Sequence, residues 1–278
     1  MSRKIDLHLH TTCSDGLTLP AELLELARQR GLAAFSVTDH DTIEGYTQTL
    51  SFLKEDDPEL VPGLELSCTQ GDEDLHMLAY FYDPESELLL ESLKIFQKKR
   101  NQRGHVMIQK LNALGLEVSF DDVLAFANGA PVGRPHVAQA LLKAKIVTTF
   151  DEAFRRFIGN KGPAFVPKDN LTPAEAIKLT HQAGGLAVVA HPIVSEVVDR
   201  IPELAQLGLD GIESHHPDHN AGERDRLKQL AKQLGMICTG GSDFHGRQGR
   251  CGTVGSENVP FSFLEDLKTI IAKKRTNN

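Results

Sequence analysis

The feature that most constrains the fold is a strict alternation of apolar and polar residues near the start of the chain, Ile5-Asp6-Leu7-His8-Leu9-His10. This alternation is the period of a β-strand. The two histidines therefore lie on the same face of that strand, where both imidazoles can reach one metal ion. A single His-x-His pair is a weak indication, because such pairs also occur on solvated strand faces. The prediction of a metal site depends on what recurs further along the chain.

Histidines and carboxylates follow the later predicted strands at the points where those strands end. A buried run at 33–38 leads to His40, and a short apolar run at 186–190 leads to His191. In β/α barrels the catalytic groups lie at the carboxyl ends of the strands. We therefore predict an α/β fold of the barrel type with a site at that face. The candidate site residues are His8, His10, Asp15, His40, Glu65, His76, His191, Asp243 and His245.

This mixture of imidazoles and carboxylates is what hydrolytic sites with two or three divalent ions use. Each histidine taken alone is better explained as a hydrogen-bonded core or surface residue. The set as a whole is not, because independent histidines would not keep following β-strands. No cysteine occupies a predicted strand end, so a thiolate-rich structural zinc site is not expected.

Composition limits the classes of protein and partner. The chain has 278 residues, of which 40% are hydrophobic, and this suits one large α/β domain, alone or with an insertion. The net charge of −8 disfavours a broad nucleic-acid footprint but allows a small phosphorylated ligand. The sequence shows neither a membrane span nor a signal peptide. Its four cysteines are scattered and resemble reduced thiols, so we predict a cytoplasmic protein; they are Cys13, Cys68, Cys238 and Cys251.

From about residue 86 the pattern changes to a helical period with many cations, and no long strand interrupts it. One predicted helix covers 119–128, and another opens at Thr149, with Glu152 three residues on as a capping box. We therefore predict a helical insertion over 100–165 that contributes to the substrate pocket. The flanking parts, 1–99 and 166–278, form the β/α domain with the metal site.

The ordered set of motifs resembles the PHP (polymerase and histidinol phosphatase) family over nearly the whole chain. The motifs are His8-x-His10, Thr38-Asp39-His40, Glu65, His76, Ala190-His191-Pro192 and Ser242-Asp243-Phe244-His245. The resemblance implies a distorted seven-stranded β/α barrel. It also implies two or three divalent metal ions, with manganese preferred and iron or zinc as alternatives, since affinity order alone does not choose among them.

The resemblance assigns the candidate ligands to three metal positions. The first is His8, His10, Glu65 and Asp243. The second is Asp15, His40 and His245. The third, if it is occupied, is Glu65, His76 and His191.

Two histidines are candidate catalytic residues, His191 and His216. The pair His215-His216 departs from the family pattern, which leads us to expect an aromatic residue before the histidine. We therefore keep His216 as a site candidate and leave the role of His215 open.

Two segments of the insertion resemble the 3',5'-nucleoside bisphosphate phosphatases and their 5'-3' exoribonuclease relatives. They are Gly133-Arg134-Pro135-His136-Val137-Ala138 and Gly159-Asn160-Lys161-Gly162-Pro163-Ala164. Independently of the resemblance, Pro135 favours the first turn of a helix, and a guanidinium beside a helix N-terminus can bind phosphate. The candidate substrate-binding residues are therefore Arg134, His136 and Lys161.

Each of these cationic residues also has an alternative explanation that involves no ligand. Arg134 could cap a surface loop, and Lys161 could be an ordinary solvated lysine. Arg100 and Arg103 are predicted to lie on a solvated helix face, with contact to the ligand as the less favoured alternative.

The leading functional hypothesis is a metal-dependent phosphatase that removes the 3'-phosphate of 3',5'-bisphosphonucleosides such as 3',5'-bisphosphoadenosine and leaves the 5'-mononucleotide. The same residues could release nucleotides from the 5' end of short 5'-phosphorylated RNA. A third alternative is a histidinol-phosphate phosphatase. A non-catalytic PHP module that stabilises a partner is disfavoured by the complete ligand set. We expect no membrane contact and no obligate protein partner.

Overall fold

Seven strands form one sheet in the order β1 to β7. The computed structural model describes residues 3–70, 73–246 and 252–276. The strands are β1 Lys4–Leu9, β2 Leu32–Val37, β3 Glu59–Gln70, β4 Glu73–Tyr80, β5 Leu186–Val189, β6 Gly211–His215 and β7 Ile237–Gly240. Only β4 runs against its neighbours, pairing antiparallel with β3 and with β5. The other neighbours are parallel, and the predicted α/β class is confirmed.

Ten α-helices are described beside this sheet. They are α1 Pro20–Gln29, α2 Glu44–Phe52, α3 Glu87–Ala113, α4 Phe120–Ala127, α5 Arg134–Lys143, α6 Phe150–Ala153, α7 Pro173–Gln182, α8 Ile201–Gln206, α9 Ala221–Leu234 and α10 Phe261–Thr276. A π-helical turn, Phe154–Ile158, continues α6, and a 3₁₀ turn, Val198–Arg200, precedes α8. None of the described helices is long and apolar enough to cross a membrane.

The two edge strands meet at the carboxyl end of the sheet. Leu9 forms a parallel bridge with Phe244, and the N–H of His10 donates to the carbonyl oxygen of Phe244 at 2.9 Å. Ile5 forms a second, antiparallel bridge with Val259. These contacts bring the segment after β7 against β1, as a barrel requires at this end. Closure along the rest of the strands stays a prediction.

Both faces of β1 are buried. Ile5 and Leu7 pack into an apolar cluster with residues of β5, β7 and α10. Asp6 and His8, on the other face, are also buried, at 1% and 0% exposure. The alternation near the N-terminus therefore does not separate core from solvent. It separates an apolar core from a polar one, and the polar core is the candidate site.

The helices of the predicted insertion share an apolar cluster separate from the cores beside the sheet. Met107, Leu111, Val123 and Leu141 belong to that cluster. Leu89 and Leu93, from the first turns of α3, belong instead to the core beside the sheet. A single helix of 27 residues thus contributes to two cores, and the predicted boundary near residue 100 falls inside it. The division of the chain into a domain and an insertion stays a prediction.

The start of the predicted helix at Thr149 is confirmed, but its extent is short. The N–H of Glu152 donates to the Thr149 hydroxyl at 3.1 Å. The Glu152 carboxylate accepts from the N–H of Thr148, at 2.7 Å, so the predicted reciprocal box is only half formed. Cys13, Cys68 and Cys238 are free thiols, and Cys251 lies outside the described residues.

Gly104 lies where α3 passes closest to the segment between α4 and α5. A Cβ on this residue would come within 2.6 Å of Val132 Cγ1 and 3.3 Å of Phe120 Cε2. Val132 is 2% exposed, so it has little room to move. The close approach explains a glycine in the middle of a helix, where alanine would otherwise be favoured by about 1 kcal/mol.

We predict that Gly104→Ala lowers the free energy of unfolding by about 1 kcal/mol. Overpacking a buried contact costs about 1–3 kcal/mol, which exceeds the gain in helix propensity. Urea titration followed by circular dichroism measures the change. Gly222→Ala in α9 is the matched control, because its nearest heavy atom would lie at 3.4 Å. Stabilisation by both substitutions would contradict the prediction.

Candidate metal centre

The first predicted ligand group converges on one point at the carboxyl end of the sheet. His8 Nε2 lies 3.2 Å from His10 Nε2, 3.3 Å from Glu65 Oε2 and 3.3 Å from Asp243 Oδ1. His10 Nε2 lies 3.1 Å from the same Glu65 oxygen. Ligand atoms at about 2.1 Å from a tetrahedral ion are roughly 3.4 Å apart. These four residues therefore have the spacing of ligands that share one ion.

The second group surrounds the carboxylate of Asp15. Its Oδ1 lies 3.2 Å from His245 Nε2 and 4.0 Å from His40 Nε2. His10 Nδ1 is 3.9 Å from that oxygen, so His10 lies between the first group and the second. Ligand-capable atoms of His10, Asp15, His40 and His245 all lie within 4.8 Å of one another.

The third group surrounds the other oxygen of Glu65. Its Oε1 lies 2.9 Å from His76 Nδ1 and 3.1 Å from His191 Nε2. His40 Nδ1 lies 3.2 Å from Glu65 Oε2, and His40, Glu65 and His76 also form a group within 4.8 Å. His40 thus lies near both the second and the third group, whereas the sequence analysis assigned it only to the second. All nine predicted ligands come together, and their role as ligands stays a prediction.

Two of the candidate ligands sit on backbone that non-glycine residues rarely adopt. His191 has φ of 25° and Asp243 has φ of 47°. Such conformations persist when the surroundings hold them, and they cluster at functional sites. Hydrogen bonds stabilise these two backbone conformations. Glu213 Oε2 accepts from the N–H of His191 at 2.7 Å. Asp6 Oδ1 accepts from the N–H of Ser242, next to Asp243, at 2.9 Å.

A buried carboxylate also fixes the loop between His10 and Asp15. Asp39 accepts from the N–H of Thr11 at 2.8 Å and from the Thr11 hydroxyl at 2.6 Å. The hydroxyl of Ser14 donates to the same carboxylate. The sequence singled out Asp39 only as part of a motif. Its contacts show that it orders the loop on which Asp15 lies.

The chemistry of the site fits divalent cations. Nδ1 of His10, His40 and His76 is buried and makes no hydrogen bond within the described ranges, although carboxylate oxygens lie close by. Burial opposes ionisation of Glu65, but the histidines that surround it together hold its pKa well below the usual range. Burial lowers the pKa of His40 well below its ordinary value, which favours the neutral ring that a metal requires.

His216 lies at the edge of the first group. Its Nδ1 accepts from the N–H of Asp218 at 3.1 Å, and its Nε2 lies 3.4 Å from Asp243 Oδ2. The ring of His215 instead packs edge-on against Phe263, with 5.3 Å between centroids. His216 is therefore adjacent to the candidate ligands, and His215, which the sequence left open, points to another part of the structure.

Helix α5 begins at Arg134, with Gly133 as the N-cap, so it starts one residue before Pro135, which the sequence places in the first turn. Its Nη1 donates to Asn160 Oδ1 at 2.7 Å, and its Nη2 lies 3.4 Å from Asp74 Oδ2. His136 Nδ1 accepts from the N–H of Gly133 at 3.0 Å and so caps the helix.

The other cations of the sequence analysis have different outcomes. Lys161 is exposed to solvent, and its assignment as a substrate-binding residue stays a prediction. Arg100 and Arg103 do not lie on a solvated face, so that prediction is wrong. Arg100 Nε donates to Asp41 Oδ2 at 2.6 Å, and Arg103 Nε donates to the carbonyl oxygen of Val166 at 2.9 Å.

Sequence reasoning missed two residues near this centre, Lys168 and Glu213. Lys168 Nζ lies 2.7 Å from Asp74 Oδ1. Glu213 Oε1 lies 2.8 Å from His8 Nδ1. Neither stands in a local motif. The available signal for Glu213 was its position within a short strand, directly after the buried Ile212, where a charged side chain needs a partner.

A PHP domain family model matches residues 6–161 of the chain. The chain belongs to the PHP family.

Three relatives with named activities are similar to this chain along most of their length. A 5'-3' exoribonuclease from Haemophilus influenzae is 32% identical, over 88% of this chain and 91% of that protein. A phosphoribosyl 1,2-cyclic phosphate 1,2-diphosphodiesterase from Eggerthella lenta is 30% identical, over 90% of this chain and 97% of its own. A 3',5'-nucleoside bisphosphate phosphatase from Chromobacterium violaceum is 28% identical, over 87% of both chains.

A solved structure gives the same result for the fold. A protein from Bifidobacterium adolescentis described as a metal-dependent phosphoesterase matches with a TM-score of 0.88 and 29% identity. The match covers 97% of this chain and 96% of the other. The family prediction is confirmed, and the protein is a metal-dependent phosphoesterase.

We predict that His8→Ala lowers the rate of phosphate release by at least about a hundredfold and reduces the metal content of the folded protein. Loss of a ligand weakens metal binding, and a weakly bound ion no longer activates water. Metal analysis after dialysis, with a phosphate-release assay, measures both effects. His215→Ala is the matched control and should keep both properties. Full activity of the wild-type protein after removal of metal would contradict the prediction.

We also predict that Cys13→Ser retains the wild-type rate. Burial raises the pKa of the Cys13 thiol to about 12, and the Asp39 carboxylate adds to the effect, so the thiolate nucleophile is scarce at neutral pH. The rate of phosphate release at saturating metal provides the measurement. Complete loss of activity with unchanged metal content would show that the thiol takes part in the reaction.

Proposed function

We propose that this protein removes the 3'-phosphate from 3',5'-bisphosphonucleosides and leaves the 5'-mononucleotide. The observation that carries the proposal is a basic cluster, Arg103, Arg134 and Lys168, beside the candidate metal centre. Strand β4 connects the two, because Asp74 contacts the cluster and His76 contacts Glu65. The two residues are two apart on the strand and so share a face. One subsite would cleave a phosphate while the other holds the second.

The basic cluster carries more positive charge than its carboxylate neutralises. Asp74 contacts both Lys168, at 2.7 Å, and Arg134, at 3.4 Å. Burial lowers the pKa of Lys168 to about 8, and burial lowers that of Arg103 to about 9, with neighbouring guanidinium groups adding to the effect on Arg103. Buried charges are costly unless they are paired. A phosphate dianion would supply the missing negative charge.

The cluster also has hydrogen-bond donors to spare. Nη2 of Arg103 and Nδ2 of Asn170 are buried and have no acceptor within the described part of the chain. Both residues line a cavity of about 210 Å³, together with Arg100 and Lys168. Phosphate oxygens are strong acceptors for guanidinium and amide N–H groups. Unsatisfied donors around this cavity support a phosphate subsite at the Arg103 and Lys168 side of the basic cluster.

The residues of the centre have separate tasks in the proposed reaction. The three ligand groups would hold the divalent ions, which lower the pKa of water and neutralise charge on the phosphoryl group when bound. Nδ1 of His216 accepts a hydrogen bond, so the neutral ring carries its proton on Nε2. That N–H could donate a hydrogen bond to the leaving ribose oxygen and so stabilise the charge that develops on it. Nε2 of His191 lies 3.1 Å from Glu65 Oε1, which supports its proposed role as a ligand. We also keep His191 as a proposed catalytic residue.

We propose manganese as the metal, with iron or zinc as alternatives that the same imidazole and carboxylate donors accept. A cytoplasmic location agrees with the free thiols of Cys13, Cys68 and Cys238.

Release of nucleotides from short 5'-phosphorylated RNA is the second candidate, favoured by the similarity to the exoribonuclease of Haemophilus influenzae. A substrate panel separates the two. It contains 3',5'-bisphosphoadenosine, adenosine monophosphate, histidinol phosphate, a five-membered cyclic ribose phosphate and a 5'-phosphorylated oligoribonucleotide, all assayed with the manganese-loaded protein. We expect the bisphosphate to give the highest kcat/KM. A higher value for the oligonucleotide would favour the second candidate.

We predict that Arg134→Ala and Lys168→Met each lower kcat/KM for 3',5'-bisphosphoadenosine by about ten- to a hundredfold. A charge-assisted bond to phosphate contributes about 1.5–3 kcal/mol, and a mononucleotide that lacks the second phosphate should be hardly affected. Steady-state kinetics with both substrates at one salt concentration measures the difference.

Two control variants accompany this prediction. Lys143→Ala removes a cation from the other end of α5, where Lys143 contacts only Asp122 among the described carboxylates, and should change neither value. Lys161→Ala tests the lysine predicted from sequence against Lys168. An equal loss for both substrates in Arg134→Ala would mean that Arg134 serves the reacting phosphate or the fold.

A further inference from the structure

We propose that Glu213 is a positioning residue that holds the imidazole of His8 with its Nε2 turned toward the metal. The inference rests on the proposed metal site, but it concerns a residue that is not a ligand. Glu213 lies in β6, is 0% exposed and belongs to none of the motifs that suggested the site.

Each oxygen of Glu213 has a different partner. Oε1 lies 2.8 Å from His8 Nδ1, and Oε2 accepts from the N–H of His191 at 2.7 Å. His8 comes from β1, whereas His191 follows β5. One carboxylate therefore connects two candidate ligands that are far apart in the sequence.

The contact to His8 determines which nitrogen can bind a metal. An ionised carboxylate only accepts hydrogen bonds, so Nδ1 of His8 must carry a proton. Nε2 is then the nitrogen with a lone pair to offer, and it lies 3.3 Å from both Glu65 Oε2 and Asp243 Oδ1. Carboxylates that hold ligating histidines in this way set the tautomer and the direction of the ring.

The contact to His191 stabilises an unusual backbone. With φ of 25°, His191 occupies a region that costs a non-glycine residue free energy. The bond from its N–H to Glu213 helps to hold the turn that directs the ring toward Glu65. The same carboxylate therefore orders a side chain on one side of the centre and a main chain on the other.

Glutamine is a sharp test because it has nearly the same shape but only one acceptor. Both partners of Glu213 present N–H groups, and an amide satisfies only one of them. If its oxygen faces His191, its NH₂ group faces His8 Nδ1 and favours the tautomer with the proton on Nε2, where it blocks ligation. If the amide turns over, two N–H groups meet at His191. Either arrangement should weaken metal binding.

The experiment compares Glu213→Gln with the wild-type protein and with Asp210→Asn. Asp210 is a matched control, because it precedes the same strand, accepts from the N–H of Ala187 at 2.9 Å and contacts Lys274 at 2.6 Å, away from the centre. Metal affinity is measured by dialysis against buffered Mn²⁺ and metal analysis. Ring protonation is measured by ¹⁵N-histidine spectra of the Zn²⁺-loaded proteins, with the His8 signals assigned by through-bond correlation in the wild-type protein.

We expect Glu213→Gln to bind Mn²⁺ about ten- to a hundredfold more weakly, while Asp210→Asn binds as the wild type does. The wild-type spectrum should show a proton on Nδ1 of His8, and this signal needs no variant to fold. A proton on Nε2 instead, or unchanged affinity in Glu213→Gln, would overturn the inference. Failure of the wild-type protein to bind any divalent ion would instead overturn the proposed metal site, so the two failures are distinguishable.

Discussion

The carboxylate of Glu65 is the interaction on which the centre depends. It is 1% exposed, and its oxygens face opposite sides of the site. Oε2 lies near His8, His10 and His40, and Oε1 lies near His76 and His191. An isolated carboxylate at this depth would be neutralised by protonation. Surrounded by imidazoles, it stays charged and joins histidines that four different strands deliver.

The sequence predicted the parts of this arrangement that depend on local pattern. Period-two alternation in β1 and apolar runs before His40 and His191 identify strand ends, and in a largely parallel sheet strand ends share one edge. The same logic does not find Glu213, because its importance comes from Nδ1 of His8, more than 200 residues away along the chain. Contacts between distant strands leave no local pattern.

The buried cations of α3 and of the segment before α7 were harder to predict for a related reason. From sequence, a long helix with cations on several sides is predicted to be solvated, because the sequence does not show which side packs against the sheet. Arg100 reaches Asp41 and Ser67, so α3 is attached to the sheet by a polar contact as well as by Leu89 and Leu93. The prediction of a solvated face failed because amphipathic periodicity records apolar residues and ignores buried ion pairs. Lys168 was missed because Asp74, its partner, lies on β4.

The spacing of residues along β4 has a consequence for substrate selection in the proposed function. Asp74 and His76 belong to one strand and one face, so the positions that contact the basic cluster and Glu65 are one strand repeat apart, about 7 Å for two residues. Main-chain pairing with β3 and β5 fixes the distance between these two positions. If the proposed function holds, a substrate whose two anionic groups match this spacing would occupy the candidate metal centre and the proposed phosphate subsite together. A substrate with a shorter or longer spacing would leave one of the two empty.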